Sequence, residues 1–460
     1  MNKNKGVLLA VSSLTGNYGI GDFTYAKDFI CWLKSNNYKY WQVLPLNPLG
    51  EGNSPYMSIC SEAIEERYIS LEQLFDQKLI NKLPKKVKPS YSSNFELSKT
   101  IKEKYLLEAY ENFKKHDKNH IKNFISKYNW VIAYARFVYL KNKNLTKSWT
   151  EFSTDELNYI KGTKHDFYTN LDEINFIVFK QMVAFHQWKE ILSFANKNGI
   201  KIISDIPFYV GYDSVDFITH ENEFLVKENH KLTYVSGVGP DYFSKDGQLW
   251  GTPIYDFAKM KENNYSFLTN RLIYCANLSN LIRLDHFRAF DTYYAIPSTD
   301  KTALNGKWEI GPRESFFFQL YKKKPDIHLI AEDLGELFPS VIELRNRLDL
   351  PGMHVCMFNL FNNIEDTSKK IVYSGTHDND TLLGFINKLN KKDKALLCQR
   401  FHCTEKHLFN KVYRYIEKLP SLITIFPMQD ILKMNSRFRM NTPGIMNTKN
   451  WKFKLKNKIW

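Results

Sequence analysis

Three short apolar runs, each breaking off at a carboxylate, limit what this chain can become. Leu281-Ile282-Arg283-Leu284 stops at Asp285-His286-Phe287-Arg288. Ile327-His328-Leu329-Ile330-Ala331 stops at Glu332-Asp333, and Ile371-Val372-Tyr373-Ser374-Gly375-Thr376 at His377-Asp378. β-rich runs of this length, closed by charge, predict buried strands that deliver an acid where the strand leaves the core. The intervals are even: 47 positions from Asp285 to Glu332 and 46 from Glu332 to Asp378. Strand–helix units of a (β/α)8 barrel repeat about every 30 residues, and the strand ends that carry chemistry open at one face. Intervals of this size, stretched by insertions, fit successive or nearly successive strands of such a barrel.

Alternation adds a local constraint. Residues i and i+2 of a strand share a face, so Arg283 and Asp285 point the same way. A guanidinium there favours an ionised Asp285, fit to act as a nucleophile or to stabilise a cationic transition state. From this window alone a purely structural Arg–Asp pair closing a strand explains the pattern equally well.

Further runs begin at Val7, Tyr40, Ile200, Met353 and Leu422, which brings the strand starts to eight, with helical stretches between most of them. That order predicts an α/β fold, a (β/α)8 TIM barrel. Residues 1–60 hold the first two strands and a loop, Gly50-Glu51-Gly52-Asn53-Ser54-Pro55-Tyr56, that is either a substrate surface or an ordinary connection. Residues 61–198 read as a large, mainly α-helical insertion. There Ile121, Phe124, Ile125 and Tyr128, and again Phe185, Trp188, Leu192 and Ala195, keep helical spacing as core stripes. Residues 199–460 read as the rest of the barrel with substrate-loop subdomains. In that part, Ile200 to Ser204 delivers Asp205. Gly237 to Phe243 and Gly247 to Pro253 are expected to be loops presenting aromatics suited to sugar stacking. The early Thr15–Asp22 segment spaces its glycines G-x-x-G-x-G, the wrong order for a dinucleotide site, and Asp22 is expected to cap the helix near Ala26 to Leu33.

Composition excludes more than it selects. The formal charge is +15, but the excess lysines are scattered and no reader motif accompanies them, so no nucleic-acid role is expected. Six widely spaced cysteines predict free thiols in a reducing compartment. No apolar stretch approaches the roughly 20 residues needed to cross a bilayer. The expectation is a cytoplasmic protein without a membrane partner, as a monomer or weak homodimer.

The motifs, taken together, are specific. Gly19-Ile20-Gly21-Asp22, Trp41-Gln42-x-Leu44-Pro45-Leu46, Gly52-Asn53-Ser54-Pro55-Tyr56 and Asp205-x-Pro207 lead the chain. Pro240-Asp241-Tyr242-Phe243, Gly247-Gln248-Leu249-Trp250-Gly251 and Arg283-x-Asp285-His286-Phe287-Arg288 follow. Ala331-Glu332-Asp333-Leu334-Gly335, His377-Asp378-Asn379, Arg439-Met440-Asn441-Thr442-Pro443-Gly444 and Asn450-Trp451 complete the order. In this order, nearly end to end, the chain resembles the amylomaltases, 4-α-glucanotransferases of the α-amylase clan.

The resemblance implies Asp285 as nucleophile, Glu332 as general acid/base and Asp378 as third carboxylate. It implies Arg283, His286 and His377 around the sugar at the cleavage point, and Asp205 at the end of the third barrel strand. Ser54, Tyr56, Asp241, Trp250 and Asn441 fall in loops that shape the glucan groove. The chain departs from the family pattern at Gly239, Ala289 and Arg313, and an expected Asp is missing near Phe358 to Asn362.

The implied reaction moves α-1,4-glucan segments from a maltooligosaccharide to the 4-hydroxyl of another glucan or glucose, through a covalent glycosyl-enzyme and with no metal or organic cofactor. A retaining enzyme of this kind needs two carboxyls about 5–5.5 Å apart. Glu332 should rest protonated, held so by apolar surroundings or neighbouring acids. The same three acids would also serve an α-amylase-type retaining hydrolase. The choice between water and sugar as acceptor is encoded only indirectly in such motifs.

Overall fold

The structure is a computed structural model and describes residues 4–116, 119–145, 148–163, 171–240, 245–335, 337–362, 366–445 and 447–459. Twelve strands lie among them. In chain order they are β1 Lys5–Leu8, β2 Tyr40–Gln42, β3 Lys201–Ile206, β4 Tyr234–Val238, β5 Gln248–Pro253 and β6 Leu281–Leu284. Then come β7 Thr292–Pro297, β8 Lys307–Ile310, β9 Leu329–Ala331, β10 Gly352–Val355, β11 Lys370–Tyr373 and β12 Ile423–Pro427.

Eight of these pair in parallel in the order β10-β11-β12-β1-β2-β3-β6-β9. The two outer strands approach each other where the Ala331 amide donates to Pro351 O, 2.9 Å away, just ahead of β10. Inside the ring, Tyr373 Oη on β11 donates to Gln42 Oε1 on β2 at 2.8 Å, although two strands lie between them in the sheet. A bond of that kind crosses the interior of a (β/α)8 barrel, whose centre is filled by side chains. All eight expected strands take part, with ends displaced by a few residues. β10, for example, stops at Val355 and gives way to a 3-10 turn over Cys356–Asn359. Val7, Trp41, Ile202, Ile203, Ile330, Val372 and Ile425 are fully buried, so the runs are apolar because both faces of each strand are covered.

One expectation is overturned. The glycine-rich stretches from Gly237 to Pro253 do not form loops alone, because β4 and β5 pair as an antiparallel hairpin. With β7 and β8 they make a second sheet in the order β5-β4-β7-β8. Gly237 is needed there for close approach: a Cβ at that position would stand 2.1 Å from Gln248 O on the partner strand. The glycine that suggests a loop in the sequence is what lets two strands meet.

Helices fill most of the chain between β2 and β3, the longest being Phe95–His116 and Leu171–Lys197. The stripe residues Phe185, Trp188, Leu192 and Ala195 of the second are buried, and Trp188 Nε1 donates to Leu278 O at 2.8 Å. Gln181 and Gln187 of the same helix bond the main chain of Ile64 and Ser70, pinning the chain as it leaves the 50–56 loop. Asp22 accepts from the Thr24 amide at 3.0 Å and caps a 3-10 turn, Phe23–Tyr25, that leads into the helix Ala26–Ser35. Its other oxygen takes the buried Lys102 ammonium at 2.6 Å, which also bonds Arg67 O and Ile69 O. All six cysteines are free. Among the described residues no helix is long and apolar enough to cross a membrane.

Candidate active site

Four carboxylates sit at or beyond the C-terminal ends of barrel strands, the face where barrel chemistry is placed. Asp205 is the penultimate residue of β3, Asp285 directly follows β6, Glu332 directly follows β9, and Asp378 lies in the loop after β11. The β6–β9 register pairs Leu284 with Ala331, so Asp285 and Glu332 are the next residues on neighbouring strands. Neighbouring strands stand about 4.7–4.9 Å apart. The Glu332 amide donates to Leu284 O and the Phe287 amide to Glu332 O, both at 3.1 Å, which carries the pairing past the strand ends. His286, at φ 53°, adopts the left-handed conformation, and its amide donates to Glu332 Oε2 at 2.8 Å. A non-glycine residue in that region is uncommon, and here it aims the peptide after Asp285 at the second acid.

Arg283 joins the acids of two strands. Its Nη1 lies 2.7 and 2.8 Å from the two oxygens of Asp205 on β3 and 2.9 Å from Asp285 Oδ1, so the i, i+2 alternation puts the pair on one face as expected. Tyr56 Oη from the 50–56 loop donates to Asp205 Oδ2 at 2.7 Å. Burial opposes the Arg283 charge, but Asp205 and Asp285 outweigh it and hold the guanidinium ionised.

The effect on Asp285 differs from the sequence expectation. Burial pushes its carboxyl up to about 7. Arg283 pulls the other way, and the charges of Asp205 and Asp378 add to the rise. Glu332 goes further, to about 8. Burial is again the main cause, Arg283 opposes it, and Asp285 reinforces it. Asp285 is the one that touches the guanidinium, so of the two it ionises first and Glu332 keeps the proton.

Asp378 is reached from two sides. Asn441 Nδ2 donates to its Oδ1 at 2.6 Å, and His377 Nε2 lies 3.4 Å from Oδ2. The buried His377 has its pKa lowered, by desolvation first, against the pull of Asp378. His377 stacks on Tyr56, with ring centroids 5.1 Å apart and planes at 16°. Trp250, on β5, meets the His286 ring edge-on at 4.8 Å, and Tyr209 lies 6.3 Å from the same ring. Desolvation, helped by Arg288, takes His286 down to about 3, so its imidazole is neutral. Its buried Nε2 has no hydrogen-bond partner among the described residues. Ser54 Oγ accepts from the Tyr56 amide at 3.3 Å and so shapes the loop that carries the tyrosine.

The structure therefore gathers Asp205, Arg283, Asp285, His286, Glu332, His377, Asp378, Asn441, Tyr56, Ser54 and Trp250 at one mouth of the barrel. Asp241 lies outside the described residues. Sequence reading gives no role to Trp451, Tyr209 or Arg439. Trp451 packs 5.6 Å from the Tyr56 ring and 5.9 Å from His377, and the motif Asn450-Trp451 is the only signal that could have pointed to it.

The departures are also explained in part. Arg313 stands at φ 47°, a conformation that favours glycine, and its Nε pairs with the buried Asp291 Oδ1 at 2.9 Å. Ala289 is buried in the 3-10 turn Phe287–Phe290. Phe358 is exposed in the 3-10 turn that follows β10.

Comparison with known proteins agrees with this geometry. The sequence profile described as 4-alpha-glucanotransferase matches residues 9–458. A 4-alpha-glucanotransferase of Clostridium butyricum is 34% identical over 98% of this chain and 96% of its own length. One of Thermus thermophilus is 32% identical over 98% and 94%. Among solved structures, an amylomaltase from Streptococcus agalactiae in complex with acarbose superposes with a TM-score of 0.92 at 28% identity, covering 98% of this chain and 95% of that one. An amylomaltase from Corynebacterium glutamicum, at 16% identity, shares the fold with a TM-score of 0.77 over 98% of this chain and 71% of that one. With its eight-stranded parallel barrel and its acids at one mouth, the chain belongs to the 4-alpha-glucanotransferase family and is an enzyme of that class.

Proposed function

We propose that the chain transfers α-1,4-glucan segments between maltooligosaccharides, with glucose among the acceptors, by double displacement on Asp285. The observation that carries this reading is the Asp285–Glu332 arrangement. The two acids follow paired residues of neighbouring strands, a 2.8 Å bond from the His286 amide ties Glu332 beside Asp285, and Glu332 holds its proton to about pH 8. Neighbouring strand ends suit the separation of about 5–5.5 Å that a retaining pair requires.

In the first displacement Asp285 Oδ attacks the anomeric carbon. The bond to the leaving 4-oxygen breaks, and Glu332 gives that oxygen its proton. In the second, the ionised Glu332 takes the proton of an incoming 4-hydroxyl, whose oxygen displaces Asp285 and restores the α-linkage. Arg283 stabilises the Asp285 carboxylate before the first displacement and when the second one releases it. Asp378 faces the positive charge that builds on the ring, and the bond from Asn441 fixes its direction beside the His377 ring. The unpartnered His286 Nε2 is a group for a sugar hydroxyl, and Trp250 and Tyr56 supply ring faces for the glucan. A cytoplasmic setting fits a glucan-processing chain with free thiols.

Incubation with maltotriose tests the reading. A ladder of longer and shorter glucans with a constant number of reducing ends is the expected result. Rising reducing ends would make the enzyme a hydrolase. Asp285→Ala should lose about 10³-fold or more in turnover while still binding maltose. Near-normal turnover in that variant overturns the assignment.

A further inference from the structure

Arg439 lies outside every role assigned so far, yet two of its guanidinium nitrogens bond the main chain beside the third carboxylate. Nε donates to Asn441 O at 2.6 Å, and Nη2 donates to the main-chain carbonyl of Asp378. Asn441 closes the arrangement: its amide donates to His377 O at 3.0 Å and its Nδ2 to Asp378 Oδ1 at 2.6 Å. No carboxylate pairs with Arg439 among the described residues. A charged guanidinium near several acids that is turned instead onto two carbonyls acts on backbone geometry, with the planar fork suited to holding two acceptors at once.

We propose that Arg439 is a positioning residue: by clamping the carbonyls of Asp378 and Asn441 together, it fixes the loop after β11 against the 439–441 segment and so sets the aim of the Asp378 carboxylate. The claim rests on Asp378 being the third acid of the reaction. The 439–441 segment is held from behind, which gives the clamp a fixed base. The Trp451 amide donates to Met440 O at 2.8 Å, and Asn450 bonds both the amide and the carbonyl of Thr442. Without the guanidinium, the Asp378 loop and the Asn441 segment stay joined through the bonds of Asn441 to His377 O and to Asp378 Oδ1, but lose the tie between their two main-chain carbonyls, which sets the angle of one against the other. A misplacement of about 1 Å at such a group costs on the order of 10²-fold in rate.

A cavity of about 20 Å³ is lined by Arg439 together with Thr376, His377 and Met440. Shortening Arg439 to alanine opens room continuous with it, into which a free guanidinium ion fits. The variant Arg439→Ala should therefore lose about 10²-fold in kcat for maltotriose disproportionation, with KM changed by no more than about twofold. Guanidinium chloride at about 50 mM should restore at least about tenfold of the loss, and sodium chloride at equal ionic strength none of it. Arg439→Lys, whose single ammonium reaches one carbonyl at a time, should be intermediate without added guanidinium.

Thermal melts of both variants accompany the kinetics. A kcat for Arg439→Ala within twofold of the parent overturns the proposal, as does a loss that follows the melting temperature and ignores guanidinium. Asp378→Ala separates the two layers. If that variant is inactive while Arg439→Ala is normal, only the positioning claim falls. If Asp378→Ala itself turns over normally, the role of Asp378 falls and the proposal goes with it.

Discussion

Removing the charge of Arg283 should unfold this protein more readily than almost any other single change near the site, and the reason is an asymmetry in what it holds. The Arg283 side chain is 4% exposed and the Asp205 carboxyl has no exposure at all, whereas the Asp285 side chain is 28% exposed. In Arg283→Met, Asp285 can turn to water. Asp205 cannot, and keeps only the Tyr56 hydroxyl at 2.7 Å. Deleting one partner of a buried pair costs about 3–5 kcal/mol, because the other charge stays buried and uncompensated. The double variant Arg283→Met/Asp205→Asn removes that charge and keeps an oxygen for Tyr56. Its loss should fall to about 1–2 kcal/mol, the cost of an imperfectly paired neutral amide. The coupling between the two sites is then about 2 kcal/mol or more. Urea unfolding at pH 7 measures it as a shift in midpoint at constant slope. A single variant that loses less than about 1 kcal/mol behaves like an exposed ion pair and refutes the argument. So does a double variant as unstable as the single one.

The pH profile of turnover should be bell-shaped. Asp285 must be ionised to attack, so rate rises with pH through about 7, and Glu332 must be protonated to donate, so rate falls as pH passes about 8. Asp378 adds to the rise of Asp285, so residual activity of Asp378→Asn should show the acid limb moved to lower pH and the basic limb unmoved. Full activity of the parent two pH units above the Glu332 value would remove Glu332 as the acid. Lys102→Met leaves the fully buried Asp22 without its ammonium and should cost about 3–5 kcal/mol in unfolding experiments, with kcat at 25 °C unchanged. Trp250→Ala should raise KM for maltotriose about tenfold, the loss of roughly 1.4 kcal/mol of ring stacking, and an unchanged KM would place Trp250 outside the glucan groove.

What could be read from the chain, and what could not, divides along physical lines. The barrel strands were legible because both of their faces are covered, which makes them continuous apolar runs. The acids that close them mark the strand ends. The helix stripes of 171–197 were legible for the same reason at a different period. The hairpin of β4 and β5 was not: its strands mix polar residues with glycine where backbones meet, and these features also describe a loop. The Arg283–Asp285 contact follows from i, i+2 alternation, but its electrostatic outcome does not. Alternation reveals the guanidinium and hides the desolvation that outweighs it. The Arg283–Asp205 bond joins residues 78 positions apart and depends on β3 and β6 being neighbours, with β4 and β5 diverted to another sheet. Arg439 and Trp451 fall within recognisable motifs, but the residues around them do not spell out their contacts, two main-chain carbonyls for one and two rings for the other.

The pairing of β1 has a consequence for synthesis. Lys5–Leu8 finds β2 within a few dozen residues, but its other neighbour, β12, begins only at Ile423. For more than 400 residues of translation one side of an apolar strand stands without its native partner. An open edge of that kind is a template for pairing with other chains, and parallel sheets closed by such distant contacts form slowly. Soluble yield of this enzyme should therefore depend on how fast the nascent chain is made and on what shields β1 until β12 has been translated.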